Sequence, residues 1–290
     1  MRLATVMHQG QPRVGRVSAD ARTIALFEGD GTRGVQPWIE AHVAGSPWPQ
    51  PAADIPLVAR DLIAPLPRPW RNLWCVGRNY HAHASELRES VFKDNVAPVD
   101  SWPIVFTKVP ETVNGPYAPV RLPGAAISAQ IDYEAELAVV IGRGGRNITR
   151  AQAMTHVFGY TIVNDVTARD VQMRHAQWDL GKSFDGFCPM GPWIVTVDEL
   201  DGTDTRVRCW VNGDLRQDAR TSQLIFDIPT LIETCSRGIT LHPGDVIATG
   251  TAAGVGMGMK PPRWLVHGDT VRIEIDGIGQ IENRFVDEDA

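Results

Sequence analysis

Residues 131–142 read IDYEAELAVVIG, an apolar run that carries three acids. Alternate side chains of a strand point to one face, so Asp132, Glu134 and Glu136 are predicted to lie together, away from the apolar positions between them. Like charges beside an apolar core are costly unless a cation lies among them. Carboxylate oxygens favour a hard ion such as Mg2+, Mn2+ or Ca2+. The segment therefore predicts either a metal site or the solvated edge of an ordinary amphipathic strand.

The composition of the whole chain is that of a globular protein. Its 290 residues are 43% hydrophobic and 21% charged, and 27 Gly with 21 Pro indicate a sheet-rich fold with many turns. A net charge of -6 without any block of Arg or Lys argues against nucleic-acid and anionic-membrane partners. No signal-like or membrane-spanning run is found, so a cytoplasmic location is expected. The scattered cysteines are expected to be reduced thiols of the core.

Two domains are predicted. Residues 1–66 contain short alternating segments and are predicted to form a small β-rich N-terminal domain, which a proline-rich passage separates from a second domain over residues 67–290. The second domain is predicted to be an α+β fold with a rolled, antiparallel or mixed sheet. The predicted strands include residues 72–77, 103–108, 158–163 and 207–211, the predicted helices are 81–89, 150–156 and 228–236, and residues 90–103 lack periodicity.

A third carboxylate for the predicted metal site is expected after the strand 158–163. Asp165 follows this apolar run directly, so its side chain can reach a site that a neighbouring strand also lines. Asp170 is the alternative, although it could instead cap a short helix or pair with Arg169 or Arg174. Three carboxylates leave about half of an octahedral shell for water and substrate, as a catalytic Mg2+ site requires.

A histidine and a glutamate lie three residues apart in the predicted helix 81–89. His83 and Glu86 would therefore share one face within hydrogen-bonding distance. A carboxylate beside an imidazole raises its basicity and fixes its tautomer, which suits a general base. A surface contact without function is the alternative interpretation.

Two further segments carry candidate chemistry. Lys182 lies among apolar and turn residues, where an unpaired ammonium is costly, so it is predicted to neutralise a carboxylate or an oxyanion. A salt bridge to Asp179 or Asp185 is the alternative. Residues 250–260 read GTAAGVGMGMK, which lacks the spacing of a phosphate-binding loop. The backbone amides of this loop and the Thr251 hydroxyl are predicted to hold a small anionic substrate, with a purely structural hairpin as the alternative.

Taken together, these motifs resemble the fumarylacetoacetate hydrolase family in kind and in order. They are CVGRNY at 75–80 with the His83–Glu86 pair, EAE at 134–136, NDVTARD at 164–170, GKSF at 181–184 and TGT at 249–251. The resemblance covers about residues 70–285 and implies a mixed β-sandwich roll with a small N-terminal β-rich domain. It also implies a homodimeric enzyme that uses Mg2+ or Mn2+, with Ca2+ expected only as a substitute in crystals.

The resemblance also implies a role for each matching residue. Glu134, Glu136 and Asp165 would bind the metal, while His83 and Glu86 would form a base dyad on a lid that orders over the substrate. Lys182 would stabilise developing negative charge. The residues expected to bind the substrate are Arg78, Tyr80, Gln172 and Thr251. The family usually has a proline after the TGT motif, where this chain has Ala252, and the change is expected to loosen the loop.

The predicted function is hydrolytic cleavage of a carbon-carbon bond in a small anionic 2,4-dioxo acid, namely an acylpyruvate, fumarylpyruvate or a sugar-derived diketo acid. The products would be pyruvate or another 2-oxo acid and a carboxylic acid. Within the same family, decarboxylation of oxaloacetate and keto-enol isomerisation are the alternatives, because both need an enolate but no attacking water. A non-catalytic metal-binding protein is the alternative from a different class, and it would have no use for His83, Glu86 and Lys182 together.

Overall fold

The computed structural model describes residues 1–90, 101–174 and 176–288, and the side chains of all of these except residues 87–90. The helices are α1 (Gln36–Val43), α2 (His81–Ser90), α3 (Arg169–Gln172), α4 (Asp179–Lys182) and α5 (Ile228–Ser236). The strands are β1 (Arg2–His8), β2 (Gln11–Val17), β3 (Thr23–Phe27), β4 (Pro51–Pro56), β5 (Leu62–Ile63), β6 (Leu73–Gly77), β7 (Ile104–Lys108), β8 (Val113–Asn114), β9 (Val120–Leu122), β10 (Ile131–Asp132), β11 (Ala135–Ile141), β12 (Gly145–Arg146), β13 (Val157–Asn164), β14 (Thr167–Ala168), β15 (Cys188–Thr196), β16 (Arg206–Val211), β17 (Asp214–Arg220), β18 (Thr240–Leu241), β19 (Val246–Ala248), β20 (Thr270–Ile275) and β21 (Gly279–Asp287).

Two sheets build most of the molecule. The larger has the order β4-β3-β2-β1-β15-β13-β11-β19-β6-β7, with β5 and β8 attached to β1 and β15. The smaller has the order β17-β16-β20-β21-β9. The predicted α+β class and mixed β-sandwich roll are confirmed. The N-terminal strands continue the larger sheet through the pairing of β1 with β15, and the division at residue 66 remains a prediction.

Strand β11 is apolar because both of its faces are covered. Leu137, Val139 and Ile141 pack in the core that β11 shares with the smaller sheet. Ala138 and Val140 point the other way, into a second core shared with the N-terminal strands and α1. All five side chains are at most 1% exposed. Burial of alternate side chains in two cores removes apolar surface from water on both sides of the strand and fixes its register.

The predicted continuous strand over residues 131–142 is wrong, because the segment breaks at residues 133 and 134. β11 pairs with β13, with Ala135 opposite Asn164. Beyond that point the partner chain turns at Asp165 and Val166, and β10 pairs with β14 instead. The change of partner interrupts the ladder.

The helix predicted over residues 150–156 is reduced to a short 3-10 turn, Ala153–His156.

The end of β13, the end of β19, the end of β6 and the start of β11 all lie at one edge of the larger sheet. This follows from the pairing, since β11 is antiparallel to both β13 and β19 and β6 is parallel to β19. Polar residues that follow these strands therefore meet.

Across the described residues, every helix is too short or too polar to cross a membrane.

Candidate active site and metal centre

A small cavity opens at this edge of the larger sheet. Its wall includes most of the residues that the sequence singled out: Arg78, His83, Glu134, Glu136, Gln172, Lys182 and Thr251. Phe106 and Trp178 add an aromatic side to the wall.

Three carboxylates form a buried cluster at the cavity. One oxygen from each of Glu134, Glu136 and Asp165 lies within 4.8 Å of the others, and the three residues are at most 5% exposed. Oxygens bound to one ion at about 2.1–2.6 Å can be at most about 4–5 Å apart. The cluster therefore has the dimensions and the ligand chemistry of a site for one hard divalent ion.

The strand register brings these acids together. Because Ala135 lies opposite Asn164, the preceding Glu134 meets the following Asp165, and the Asp165 amide donates to the Glu134 carbonyl at 2.9 Å. The Asn164 side chain accepts a hydrogen bond from the Glu134 amide at 3.0 Å. Asp165 thus joins the cluster, as predicted. The alternative candidate, Asp170, instead accepts hydrogen bonds from Ser128 and from nearby amides.

Buried cations neutralise two of the three carboxylates. Lys182 Nζ donates to Glu134 at 2.7 Å and to Asp165 at 2.8 Å. The prediction that Lys182 neutralises a carboxylate is confirmed, and its partners are not Asp179 or Asp185. Lys108 Nζ donates to the other oxygen of Asp165 at 2.8 Å, and Arg169 contacts the other oxygen of Glu134 at 2.7 Å.

Glu136 differs from the other two acids. Its Oε2 accepts a hydrogen bond from the Gly250 amide at 2.8 Å, and among the described residues it makes no ion pair. Burial, together with the charges of Asp165 and Glu134, raises the pKa of Glu136 well above its ordinary value. Burial acts in the same direction on Glu134, but Lys182 and Arg169 outweigh it and lower the pKa of that carboxyl. The cluster therefore contains one carboxylate that has no ion-pair partner among the described residues, and the residues fit a divalent ion.

The predicted His83–Glu86 pair is present on α2. Nδ1 of His83 lies 3.2 Å from Oε2 of Glu86. An ionised carboxylate only accepts hydrogen bonds, so Nδ1 carries the hydrogen and Nε2 carries the free lone pair of the ring. His83 is 2% exposed and lines the cavity, so the alternative of a surface contact is wrong. Ordering of the predicted lid over a substrate remains a prediction, and residues 91–100, which follow α2, lie outside the described residues.

Residues 72–286 match the family model described as "Fumarylacetoacetate (FAA) hydrolase C-terminal". The chain belongs to the fumarylacetoacetate hydrolase family. Oxaloacetate tautomerase YisK of Bacillus subtilis (strain 168) is 48% identical to this family member over 225 residues, which are 77% of this chain and 72% of that protein.

Two solved structures extend the comparison over almost the whole chain. The fumarylacetoacetate hydrolase from psychrophilic Exiguobacterium antarcticum has a TM-score of 0.83 and 39% identity, and the alignment covers 99% of this chain and 100% of that one. The 5-carboxymethyl-2-hydroxymuconate delta-isomerase from Mycobacterium smegmatis has a TM-score of 0.79 and 35% identity, again over 99% and 100% of the two chains. Relatives of this family member are thus named as a tautomerase, a hydrolase and an isomerase.

The glycine-rich loop of this family member binds the protein's own carboxylates. Amides of Gly250, Gly254 and Gly256 donate to Glu136, Glu86 and Asp132, respectively. These three amides therefore bind carboxylates of the protein and not a substrate anion, and a substrate contact of the other loop amides remains a prediction. The Thr251 hydroxyl lines the cavity, donates to the Ala135 carbonyl at 3.0 Å and accepts from Gln217 at 2.7 Å, and its contact with substrate remains a prediction.

Sequence reasoning missed several buried residues around the cluster. Lys108 is the last residue of the predicted strand 103–108. A lysine at the end of an apolar strand was the signal that could have indicated a buried cation. Pairing of Arg169 with Asp170 was one of the alternatives considered, but Arg169 forms ion pairs with Asp132 and Glu134. Gln217 comes from the smaller sheet, and no local pattern marks it.

Tyr80 is the predicted substrate-binding residue that does not line the cavity formed by the described residues. Its side chain is 4% exposed, and its backbone bridges to Leu224. Burial and the charge of Glu136 raise the pKa of the Tyr80 hydroxyl. Its substrate contact remains a prediction.

Proposed function

We propose that this protein is an enzyme that interconverts the keto and enol forms of oxaloacetate. The observation that carries the proposal is that His83, whose imidazole contacts Glu86, lines the same small cavity as Glu134 and Glu136 of the acid cluster. The 48% identity to a protein named as an oxaloacetate tautomerase supports this activity over the predicted hydrolysis. Tautomerisation was one of the alternatives that the sequence left open.

The charges around the cavity suit a small dianion. Asp132, Glu134, Glu136 and Asp165 carry four negative charges when ionised, against three positive charges on Lys108, Arg169 and Lys182. A divalent ion would change this balance to a net positive charge, which favours an anionic substrate. Arg78 and Gln172 lie on the same wall, and we assign the substrate carboxylates to them and to Thr251.

The dyad supplies the proton transfer. His83 takes a proton from C3 of the ketone at Nε2, and Glu86 stabilises the resulting imidazolium through the hydrogen bond at Nδ1. The electron pair of the C–H bond forms the C2–C3 double bond and the C2 oxygen becomes negative. The imidazolium of His83 then gives its Nε2 proton to this oxygen and returns to its neutral form. The enol is thereby formed without breaking any bond between heavy atoms and without consuming water.

Lys182 stabilises the charge that develops on the substrate oxygen. An ammonium has three donors, and two of these are used by Glu134 and Asp165 among the described residues. We assign the third to the substrate, because Lys182 lines the cavity. Mg2+ or Mn2+ held by Glu134, Glu136 and Asp165 would supply a Lewis acid that stabilises the enolate.

Carbon-carbon hydrolysis is the second candidate. The similarity to the Exiguobacterium antarcticum hydrolase over the full chain favours it. The same dyad would then activate a water molecule instead of the substrate carbon. Product analysis separates the two, because hydrolysis of an acylpyruvate gives two acids, whereas tautomerisation leaves the carbon skeleton intact.

The test follows the ultraviolet absorbance of enol oxaloacetate with Mg2+ or Mn2+ present. We expect the protein to accelerate its loss and His83→Ala to reduce kcat by about 100-fold or more. His81→Ala is the matched control, because His81 lies on the same helix with an exposed side chain. Acylpyruvate cleavage without tautomerisation would instead support the hydrolase, and the absence of both activities would support a non-catalytic metal-binding protein.

We also propose that the protein is a homodimer. The resemblance to its family supports this assembly. Light scattering of the purified protein tests it, with a mass near twice the 31.8 kDa of one chain expected.

A further inference from the structure

We propose that Gly258 is a positioning residue that holds Glu86 against His83. The inference rests on the proposed function, in which the dyad moves a proton. Gly258 ends a short 3-10 turn, Gly256–Gly258, that packs against α2. A Cβ atom at this position would lie 2.0 Å from Cδ, 2.1 Å from Oε1 and 2.4 Å from Cγ of Glu86. The three nearest atoms thus all belong to this one side chain.

Space, and not backbone conformation, is what requires a glycine at this position. The φ angle of Gly258 lies outside the left-handed region that favours glycine, so an alanine can adopt the same backbone. Gly254 in the same loop is different, because its φ is +103° and its Cβ would lie 1.9 Å from the Arg216 carbonyl. Substitution of Gly254 would disturb the loop in general, whereas substitution of Gly258 is directed at Glu86.

The loop fixes the Glu86 carboxylate in two ways. The Gly254 amide donates to both of its oxygens, at 3.1 and 3.3 Å. The Gly254 carbonyl in turn accepts a hydrogen bond from the Tyr133 hydroxyl at 2.7 Å, which ties the loop to the residue before Glu134. Gly258 lies directly against the same side chain. Glu86 is therefore placed by the same loop whose Gly250 amide holds Glu136.

An alanine at position 258 must displace Glu86. Contacts of a real Cβ atom under 3.0 Å are essentially never seen, so the carboxylate has to move by about 1 Å or more. The Nδ1 to Oε2 distance is already 3.2 Å, close to the limit of a hydrogen bond. A misplacement of about 1 Å can reduce catalysis by about 100-fold.

The experiment is a double-mutant cycle on the full-length, metal-loaded protein with enol oxaloacetate as substrate. Gly258→Ala is expected to lower kcat by about 10- to 100-fold with KM changed by less than about threefold, and Glu86→Ala to lower kcat at least as much. The double variant is expected to have the same kcat as Glu86→Ala alone, because the side chain that an alanine at position 258 would displace is then absent. Gly115→Ala is the control, since its nearest contact would be an ordinary 3.4 Å.

Thermal unfolding of the same proteins without metal or substrate tests the geometry independently of any activity. Gly258→Ala is expected to lower Tm. When Glu86→Ala is combined with Gly258→Ala, part of this loss in Tm is expected to be recovered. Independent, additive effects on kcat and on Tm would overturn the inference. If Tm shows the coupling but the wild type does not act on enol oxaloacetate, the proposed function fails while the placement of Glu86 by Gly258 stands.

Discussion

Glu136 accepts a 2.8 Å hydrogen bond from the backbone amide of Gly250, and no lysine or arginine of the described residues forms an ion pair with it. The neighbouring acid Glu134 contacts both Lys182 and Arg169. Two carboxylates that are only two residues apart thus have opposite electrostatic environments. We therefore propose that Glu136 is the ligand whose charge a bound metal ion would compensate.

Glu136→Gln is expected to stabilise the metal-free protein while abolishing its metal response. The substitution keeps the shape of the side chain and removes a buried charge that lacks an ion partner, so the free energy of unfolding at pH 8 should rise by about 1–3 kcal/mol. Glu134→Gln is the matched comparison, and it should lower that free energy by about 3–5 kcal/mol because it breaks a buried ion pair. Chemical denaturation in the presence of a chelator measures both, and equal destabilisation by the two substitutions would contradict the assignment.

The stability of the metal-free protein is expected to fall as the pH rises. The folded state raises the pKa of Glu136 well above its ordinary value of 4.5, so above about that pH the folded state binds more protons than the unfolded state. Stability falls with pH wherever the folded state binds more protons. The denaturant concentration at the midpoint of unfolding should therefore decline from pH 5 upward in the wild type. It should decline less in Glu136→Gln. Identical pH profiles for the two proteins would show that Glu136 does not titrate in this way.

The sequence predicted the acid cluster because its signals are local. Glu134, Glu136 and Asp165 each lie at the end of an apolar strand, and antiparallel pairing brings such ends together. The same local reasoning could not identify Lys108 or Gln217, since their contacts depend on which strands become neighbours. The break after Asp132 also depends on a change of pairing partner and leaves no mark in the alternation of residues.

The loop over residues 250–260 shows a different limit. Its glycines suggest amides open to a ligand, but a sequence does not reveal which anion those amides meet. In the folded chain they meet Glu86, Asp132 and Glu136. The motif was found correctly, and its partner could be identified only from tertiary structure.

Lys108→Met is expected to make the protein depend more strongly on metal. Lys108 is fully buried and donates to Asp165 and to the Val166 carbonyl. Its removal leaves Asp165 with one cation fewer, which should destabilise the metal-free protein by about 3 kcal/mol and increase the attraction of the cluster for a divalent ion. The rise in Tm on adding Mn2+ should therefore exceed that of the wild type, and a smaller rise would count against this reasoning.

Trp178→Ala is expected to widen the range of substrates. The ring of Trp178 lines the cavity, lies 5.4 Å from that of Phe106 and covers Gly77, where a Cβ would be 2.5 Å from it. Without this ring, kcat/KM for a longer 2-oxo diacid such as fumarylpyruvate should rise about tenfold relative to oxaloacetate. Trp70→Ala serves as the control, because Trp70 is 51% exposed and packs against His242 outside the cavity. An unchanged ratio would show that Trp178 does not limit substrate size.

Titration of the metal-free protein with Mn2+, followed by electron paramagnetic resonance of the free ion, tests the central claim most directly. The acid cluster should bind one ion per chain in the wild type, and Glu136→Gln should lose this site while remaining folded. Undiminished binding of one ion by Glu136→Gln, or no binding by the wild type, would contradict the claim that Glu134, Glu136 and Asp165 together form the metal centre.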